Sequence, residues 1–272
     1  MEYRFSDKIA SLKPSAIREV LKATSVPGMI PFAAGNPAPD AFPVAEVQEI
    51  AADILKNRPI DALQYGVTEG YPELISLIKD RMKSKYGIGR DFDSIIITSG
   101  AQQVMDLSTK VLCNEGDVVI CESPSFIGSL NCFRSYNAKL VGVPVDADGM
   151  NIDALEKALD ENPNAKMIYT IPNFQNPAGV TMSLEKRRKL YELAKAHNVM
   201  ILEDNPYGEL RFEGEYMPAL KSLDTKGLVI YLGTFSKILA PGYRLGWVCA
   251  EDEILAKYNF MEQAASLQAS TI

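Results

Sequence analysis

The sequence predicts an α/β fold: three layers, with helices on both faces of a mostly parallel, seven-stranded sheet. Three observations predict it. From residue 94 onward, short apolar runs, partly β-branched, read as buried strands. Between most of them lie longer stretches with apolar residues at helical spacing, and such alternation is how a parallel sheet with helices on both faces is written. No internal repeat or low-complexity tract interrupts the pattern. At 272 residues, the chain is long enough for one large α/β domain or two small ones.

In chain order, residues 1–30 read as an amphipathic arm whose helix opens at Pro14 and includes Ile17, Val20 and Leu21. Residues 30–39 are rich in Gly and Pro and must be irregular backbone. A helix is expected over 44–56, with Val44, Val47, Ile50, Ala51 and Ile54 on one face. Gln64, Tyr65 and Gly66 form a loop, and Pro72 opens a helix over 74–85. The seven strands are expected at 94–98, 118–121, 139–143, 166–171, 199–202, 228–233 and 245–250. Helices are expected at 102–112, at 151–160 (opening at Asn151) and at 184–196. A further amphipathic helix begins near Ile254.

Composition excludes several function classes. The net charge of −7 argues against non-specific nucleic-acid binding. No apolar stretch is long enough to cross a bilayer, and the first residues carry no signal-peptide core. Cys113, Cys121, Cys132 and Cys249 show no C-x-x-C spacing; three lie in or beside apolar runs and read as reduced packing residues of a cytoplasmic protein, and no metal site is expected. The single histidine, His197, precedes the strand at 199–202 and so sits at its amino end. A Ser-His-Asp hydrolase or a histidine metal centre has no histidine to use.

The chemistry gathers where strands end. In open α/β sheets, ligands bind outside the strands' carboxyl ends. Lys237 follows the strand at 228–233, within Thr234-Phe235-Ser236-Lys237. Desolvation there lowers a lysine's pKa, and the neutral amine forms Schiff bases with carbonyls. Thr234 and Ser236 offer hydroxyls, and Arg244 offers a planar fork for a phosphate. Ser99-Gly100-Ala101-Gln102 is a glycine turn into a helix, an anion seat. Phe126 follows the second strand and can stack on an aromatic ligand. Asn176 lies in Asn173-Phe174-Gln175-Asn176-Pro177 and can aim its amide at a ligand oxygen. Asp204 can hold a protonated ring nitrogen. Each feature has an ordinary alternative: a glycine turn, a core phenylalanine, an Asn-Pro turn, a helix cap, a surface lysine. Together on one sheet edge they form an inventory for pyridoxal 5′-phosphate (PLP).

On these motifs the chain resembles the class I/II aminotransferases of the fold-type-I PLP enzymes, especially the branch with 2-aminoadipate and kynurenine aminotransferases. The resemblance runs from Phe32 to the last residues. It implies a PLP-dependent transferase fold and the transfer of an amino group from an amino acid to a 2-oxo acid. It makes Lys237 the Schiff-base lysine, Asp204 the ring-nitrogen partner, and Asn176 and Tyr207 the partners of the ring hydroxyl. Lys237, Asp204 and Tyr207 are then the catalytic set. Gly100, Ala101, Gln102, Thr234, Ser236 and Arg244 become the phosphate cup, with Phe126 over the ring. Phe126 stands where that branch often has tyrosine.

The resemblance also makes Gly35 a main-chain contact near the substrate carboxylate and counts Asn176 among the substrate-binding residues. Tyr65 matches a tyrosine that reaches the phosphate of a neighbouring subunit, which implies a homodimer. It divides the chain into an N-terminal arm and small-domain segment at 1–45 and a PLP-binding large domain at 46–272. The family's C-terminal small domain, with the arginine that grips the substrate carboxylate, is expected to be absent from these residues. Two other activities remain open on the same residues: a PLP-dependent β-lyase, and a non-catalytic effector-binding domain of a transcription regulator.

Overall fold

The computed structural model describes residues 3–10, 28–30 and 35–272. The helix expected from Pro14 lies outside the described residues. From residue 44 the elements are α1 (Val44–Asn57), α2 (Pro59–Leu63), α3 (Pro72–Tyr86), β1 (Asp93–Thr98), α4 (Ala101–Leu112), β2 (Val118–Ser123), α5 (Ile127–Ser135), β3 (Lys139–Asp146) and β4 (Gly149–Met150). They continue as α6 (Ile152–Glu161), β5 (Ala165–Thr170), α7 (Leu184–His197), β6 (Met200–Asp204), α8 (Leu220–Leu223), β7 (Val229–Thr234), β8 (Gly246–Glu251) and α9 (Asp252–Ala265). Asn151 caps α6 by accepting from the Ala154 N–H at 2.8 Å, as its placement before the helical pattern suggests.

One sheet runs in the order β1-β8-β7-β6-β5-β2-β3-β4. It has eight strands, not seven. The extra one, β4, is a two-residue strand folded back on β3, too short to leave a periodic signal. Strands β7, β6, β5, β2 and β3 are parallel. β8 runs against β7 and β1, so β1 points with the parallel set.

Alternation within each strand builds the layers. Ile96, Val119, Cys121, Tyr169, Leu202 and Leu232 face one side, against Val104 and Leu107 of α4, Phe133 of α5 and Leu255 of α9. Val118, Ile120, Ile168, Ile201 and Val229 face the other, against Leu155 and Leu159 of α6 and Leu190 and Ala194 of α7. On that second side Ile95, Ile97 and Trp247 pack against Ile78 and Met82 of α3. The apolar face expected on α1 is only partly covered: Val44 and Ile50 stay exposed, and Val47, Ala51 and Ile54 are half-buried.

The backbone register sets the carboxyl edge. Thr98 and Thr234 both lie opposite Gly246, and Asp204 lies opposite Leu232. Gly246 is required there. A Cβ on it would come within 3.0 Å of the Gly100 carbonyl carbon and 2.9 Å of the Gly233 oxygen.

At the opposite edge, Lys221 of α8 is buried with its Nζ 2.6 Å from Asp93 Oδ1 and 3.0 Å from Asp224 Oδ2. Asp224 also accepts backbone N–H bonds from Lys226, Leu228 and Val229, which seats the start of β7. Removing the cation leaves two buried carboxylates facing each other's charge. Lys221→Met is expected to cost about 3–5 kcal/mol of stability, read as a lower urea midpoint with an unchanged slope. An unchanged midpoint would show that the triad is energetically neutral.

Candidate active site

A cavity of about 480 Å³ opens at the carboxyl edge of the sheet. Most of the residues singled out in the sequence line it: Ala101, Gln102, Phe126, Asn176, Asp204, Tyr207, Thr234, Ser236, Lys237, Arg244 and Gly35. They arrive on the loops after β1, β2, β5, β6 and β7, on the loop into β8, and on the segment before α1.

Thr234 is the last residue of β7, and its Oγ1 accepts from the Ser236 N–H at 3.1 Å and donates to the Ser236 hydroxyl at 3.0 Å. This tight turn throws Lys237 into the cavity. Lys237 is half-buried, and desolvation lowers its pKa. Its Nζ donates to the Gly35 carbonyl at 3.1 Å.

Gly100 caps α4 with φ +76° and has no side chain to block the helix end. The first N–H groups of the helix therefore face outward with the positive end of its dipole. A Cβ on Gly100 would come 2.6 Å from Arg244 Nη2. Glycine is what lets the guanidinium lie against the turn. Arg244 itself takes a left-handed backbone at φ +54°, and its Nη1 donates to the Pro241 carbonyl at 3.1 Å. Helix N–H groups, two hydroxyls and a guanidinium thus share one corner of the cavity.

Asp204 ends β6 and is 2% exposed. The strand runs two residues further than its apolar run, so Asp204 belongs to the strand end rather than to the loop. Its Oδ2 accepts from the Tyr169 hydroxyl at 2.7 Å, and Oδ1 has no partner among the described residues. Burial pushes the Asp204 carboxyl up to about 7, with the Tyr169 bond opposing. Asn176 Nδ2 donates to the Tyr207 hydroxyl at 3.2 Å, joining the loops after β5 and β6. Burial raises the Tyr207 pKa. Phe126 stands just before α5, and a Cβ on Gly128 would meet its ring at 2.6 Å.

Two predicted residues lie outside this cavity's lining. Gly100 acts from behind, through Arg244. Tyr65 is 81% exposed and lines a separate depression with Gln268 and Thr271. His197 ends α7 with Nε2 3.7 Å from Asp160, at the far end of β6, as its place before that strand suggests.

Sequence reasoning missed Tyr169 and its support. The Tyr169 hydroxyl accepts from Ser129 Oγ at 2.8 Å, so a buried chain runs Ser129–Tyr169–Asp204. A polar-tipped aromatic inside an apolar strand was the available signal. Also missed was Glu122, a carboxyl in an apolar run, 2% exposed and pushed by burial up to about 7.

The family model for "Aminotransferase class I and II" matches residues 27–272. The chain belongs to the class I and II aminotransferase family. It is 43% identical over 274 residues to aromatic-amino-acid aminotransferase 1 of Thermococcus litoralis, covering 99% of this chain and 66% of that protein. It therefore spans about two-thirds of the length of the relative. Kynurenine aminotransferase of Pyrococcus horikoshii, solved in complex with PMP, superposes with TM-score 0.94 at 39% identity, over 98% of this chain and 67% of that one. The α-aminoadipate aminotransferase of Thermus thermophilus, complexed with N-(5′-phosphopyridoxyl)-L-leucine, superposes with TM-score 0.89 at 36% identity, over 98% and 66%.

Two of these structures hold pyridoxal-phosphate-derived groups, and the cavity suits PLP. The orphaned Asp204 Oδ1 calls for a donor such as a protonated ring nitrogen. The glycine-cleared corner at Gly100 and Arg244 calls for an anion. Lys237 supplies an amine of lowered pKa for an aldehyde.

Without cofactor, the Asp204 carboxyl is a cost to the fold. The folded chain holds its proton up to about pH 7, whereas an unfolded aspartate releases it near about 3.9. Between these values the folded state binds more protons, so this group makes stability fall as pH rises through the window. Asp204→Asn is expected to stabilise the cofactor-free chain above pH 7 by on the order of 2 kcal/mol, with little effect near pH 4. Urea denaturation at the two pH values checks this. A parent–variant difference that does not grow with pH would contradict the buried, unpaired carboxylate.

Proposed function

We propose that this chain works as a PLP-dependent aminotransferase, moving an amino group from an amino acid to a 2-oxo acid. The observation that carries the reading is one cavity in which a buried carboxylate oxygen without a partner faces the same space as a half-buried lysine of lowered pKa. Bound PLP supplies an aldehyde for amine exchange and a ring that accepts the electron pair left when the substrate's α-proton departs.

The chain's own residues do the rest. Lys237 would hold the aldehyde carbon between turnovers, then, displaced by the incoming amine, carry a proton from the substrate's α-carbon to that former aldehyde carbon. Its lowered pKa favours the neutral amine that both tasks need. Asp204 Oδ1 would accept from the ring nitrogen and keep it protonated. Asn176 and Tyr207 would hold the ring hydroxyl, and Phe126 would cover a ring face. Gly100, Ala101, Gln102, Thr234, Ser236 and Arg244 would seat the phosphate. Gly35 would lie near the substrate carboxylate, and Asn176 would also contact the substrate.

The active form we propose is a homodimer, with Tyr65 reaching a partner's phosphate. Its exposure, and that of Ile60, Leu63 and Val67 beside it, supports an interface on this side. Residues 1–45 would then serve as arm and small-domain segment and 46–272 as the PLP-binding domain. No helix among the described residues is long and apolar enough to cross a membrane, and four free cysteines suit a reducing, cytoplasmic compartment.

Borohydride reduction of the PLP-loaded protein followed by peptide mapping should place the pyridoxyl group on Lys237. Label on Lys221 or Lys226 instead would sink the assignment. Arg244→Ala should raise the PLP dissociation constant by about 10- to 100-fold, the worth of a charge-assisted bond, and Arg244→Lys by less because it keeps the charge. Equal constants for the two variants would rule out phosphate contact by this side chain.

A further inference from the structure

Glu122 has no part in the chemistry proposed above, yet it is buried at the end of β2 beneath the cavity's rim. It accepts from Thr170 Oγ1 at 2.8 Å, from the Ile171 N–H at 3.1 Å and from Gln175 Nε2 at 3.1 Å. Gln175 is also 2% exposed. Its Nε2 donates to the Pro124 carbonyl at 2.8 Å, and its Oε1 accepts from the Ala178 N–H at 2.7 Å. The orientation of this amide is determined. The Pro124 carbonyl only accepts and the Ala178 N–H only donates, so the NH₂ must face Pro124 and Glu122, and the oxygen must face Ala178.

The position of the pair gives it a task. The parallel ladder between β2 and β5 ends at Cys121 opposite Tyr169. One residue further, the Glu122 carboxylate takes the Ile171 N–H that a longer ladder would have paired with backbone. Beyond it, the Gln175 amide reaches from the β5 loop to Glu122 and Pro124 of the β2 side. These two loops carry Phe126 and Asn176 into the cavity, and Asn176 is the residue after Gln175. Loops are mobile unless tied, and a misplacement of about 1 Å in a site is costly.

We propose that Glu122 and Gln175 are a positioning pair, a buried clamp that takes over where the β2–β5 ladder stops and sets the spacing between the Phe126 ring and the Asn176 amide. The flat aromatic ring seated there is the PLP of the functional reading, on which this inference rests. Neither residue lines the cavity. Each acts through its neighbour.

The test is a double-variant cycle. Glu122→Ala removes the acceptor of three donors, and Gln175→Ala removes the amide that ties the two loops. The double variant breaks the same tie only once. PLP affinity is read by fluorescence quenching of Trp247, the one tryptophan of the sequence. It is measured alongside kcat and KM for an amino donor with an oxo-acid acceptor. Each single variant should weaken PLP binding at least tenfold and lower kcat, while KM for the donor moves less than threefold. The double variant should lose no more than half the sum of the two single losses on a logarithmic scale, because both substitutions break one tie.

Gln175→Met, which keeps the shape and leaves Glu122 its other two donors, guards against variants that fail to fold. It should lose PLP affinity at least fivefold. Singles that bind PLP as the parent does, a double whose losses simply add, or a Met variant without loss would each overturn the clamp. A parent that binds no PLP would overturn the functional reading, and this one with it.

Discussion

Everything at the cavity depends on the neighbouring ends of five strands that point one way. Backbone hydrogen bonds between neighbours set each strand's register, so no single loop decides where its residues sit. Thr98 and Thr234 face the same glycine across β8, and Asp204 sits one strand away from Thr234's chain, opposite Leu232. The loops that leave these strands therefore start from one line. The reversed strand β8 adds a chain that enters at that edge, and so brings Arg244 to the turn at Gly100. A parallel eighth strand would have placed that arginine at the other end.

On this scaffold the electrostatics are poised against the fold's own stability. Asp204 is buried with one hydrogen bond and one empty oxygen, and its proton affinity rises accordingly. Lys237, a cation in the same cavity, is pulled the other way by the same loss of water. Each shift opposes the charged form, and each is relieved by a ligand that brings a positive ring nitrogen to one and a carbonyl to the other. Compare Lys221, where burial is answered within the chain by Asp93 and Asp224. The structural ion cluster is closed. The cavity's charges are left open toward a ligand.

The parts of the site legible in the sequence share a property. Lys237, Arg244, Gly100, Asn176 and Asp204 each stand at the end of an apolar run or beside Gly and Pro, where local sequence announces a strand end and a turn. Tyr169, Ser129, Glu122 and Gln175 were not legible because their roles are set by neighbours across the sheet or on the next loop. Tyr169 lies mid-strand and reads as core until β6 places Asp204 2.7 Å from its hydroxyl. Ser129 reads as a helix residue until that hydroxyl lies above it. The two-residue β4 escaped for a different reason: pairing with β3 makes it a strand, not its own composition.

By itself the sequence determined the α/β alternation, the placement of polar and charged side chains at strand ends and the family pattern, because these follow from periodicity, residue type and short-range spacing. Tertiary structure decided the strand order, the reversal of β8, and which polar groups meet in the cavity's floor. Those depend on contacts between residues tens of positions apart, such as Glu122 with Gln175 or Lys237 with Gly35. No local pattern encodes a bond whose partner is selected by the register of another strand.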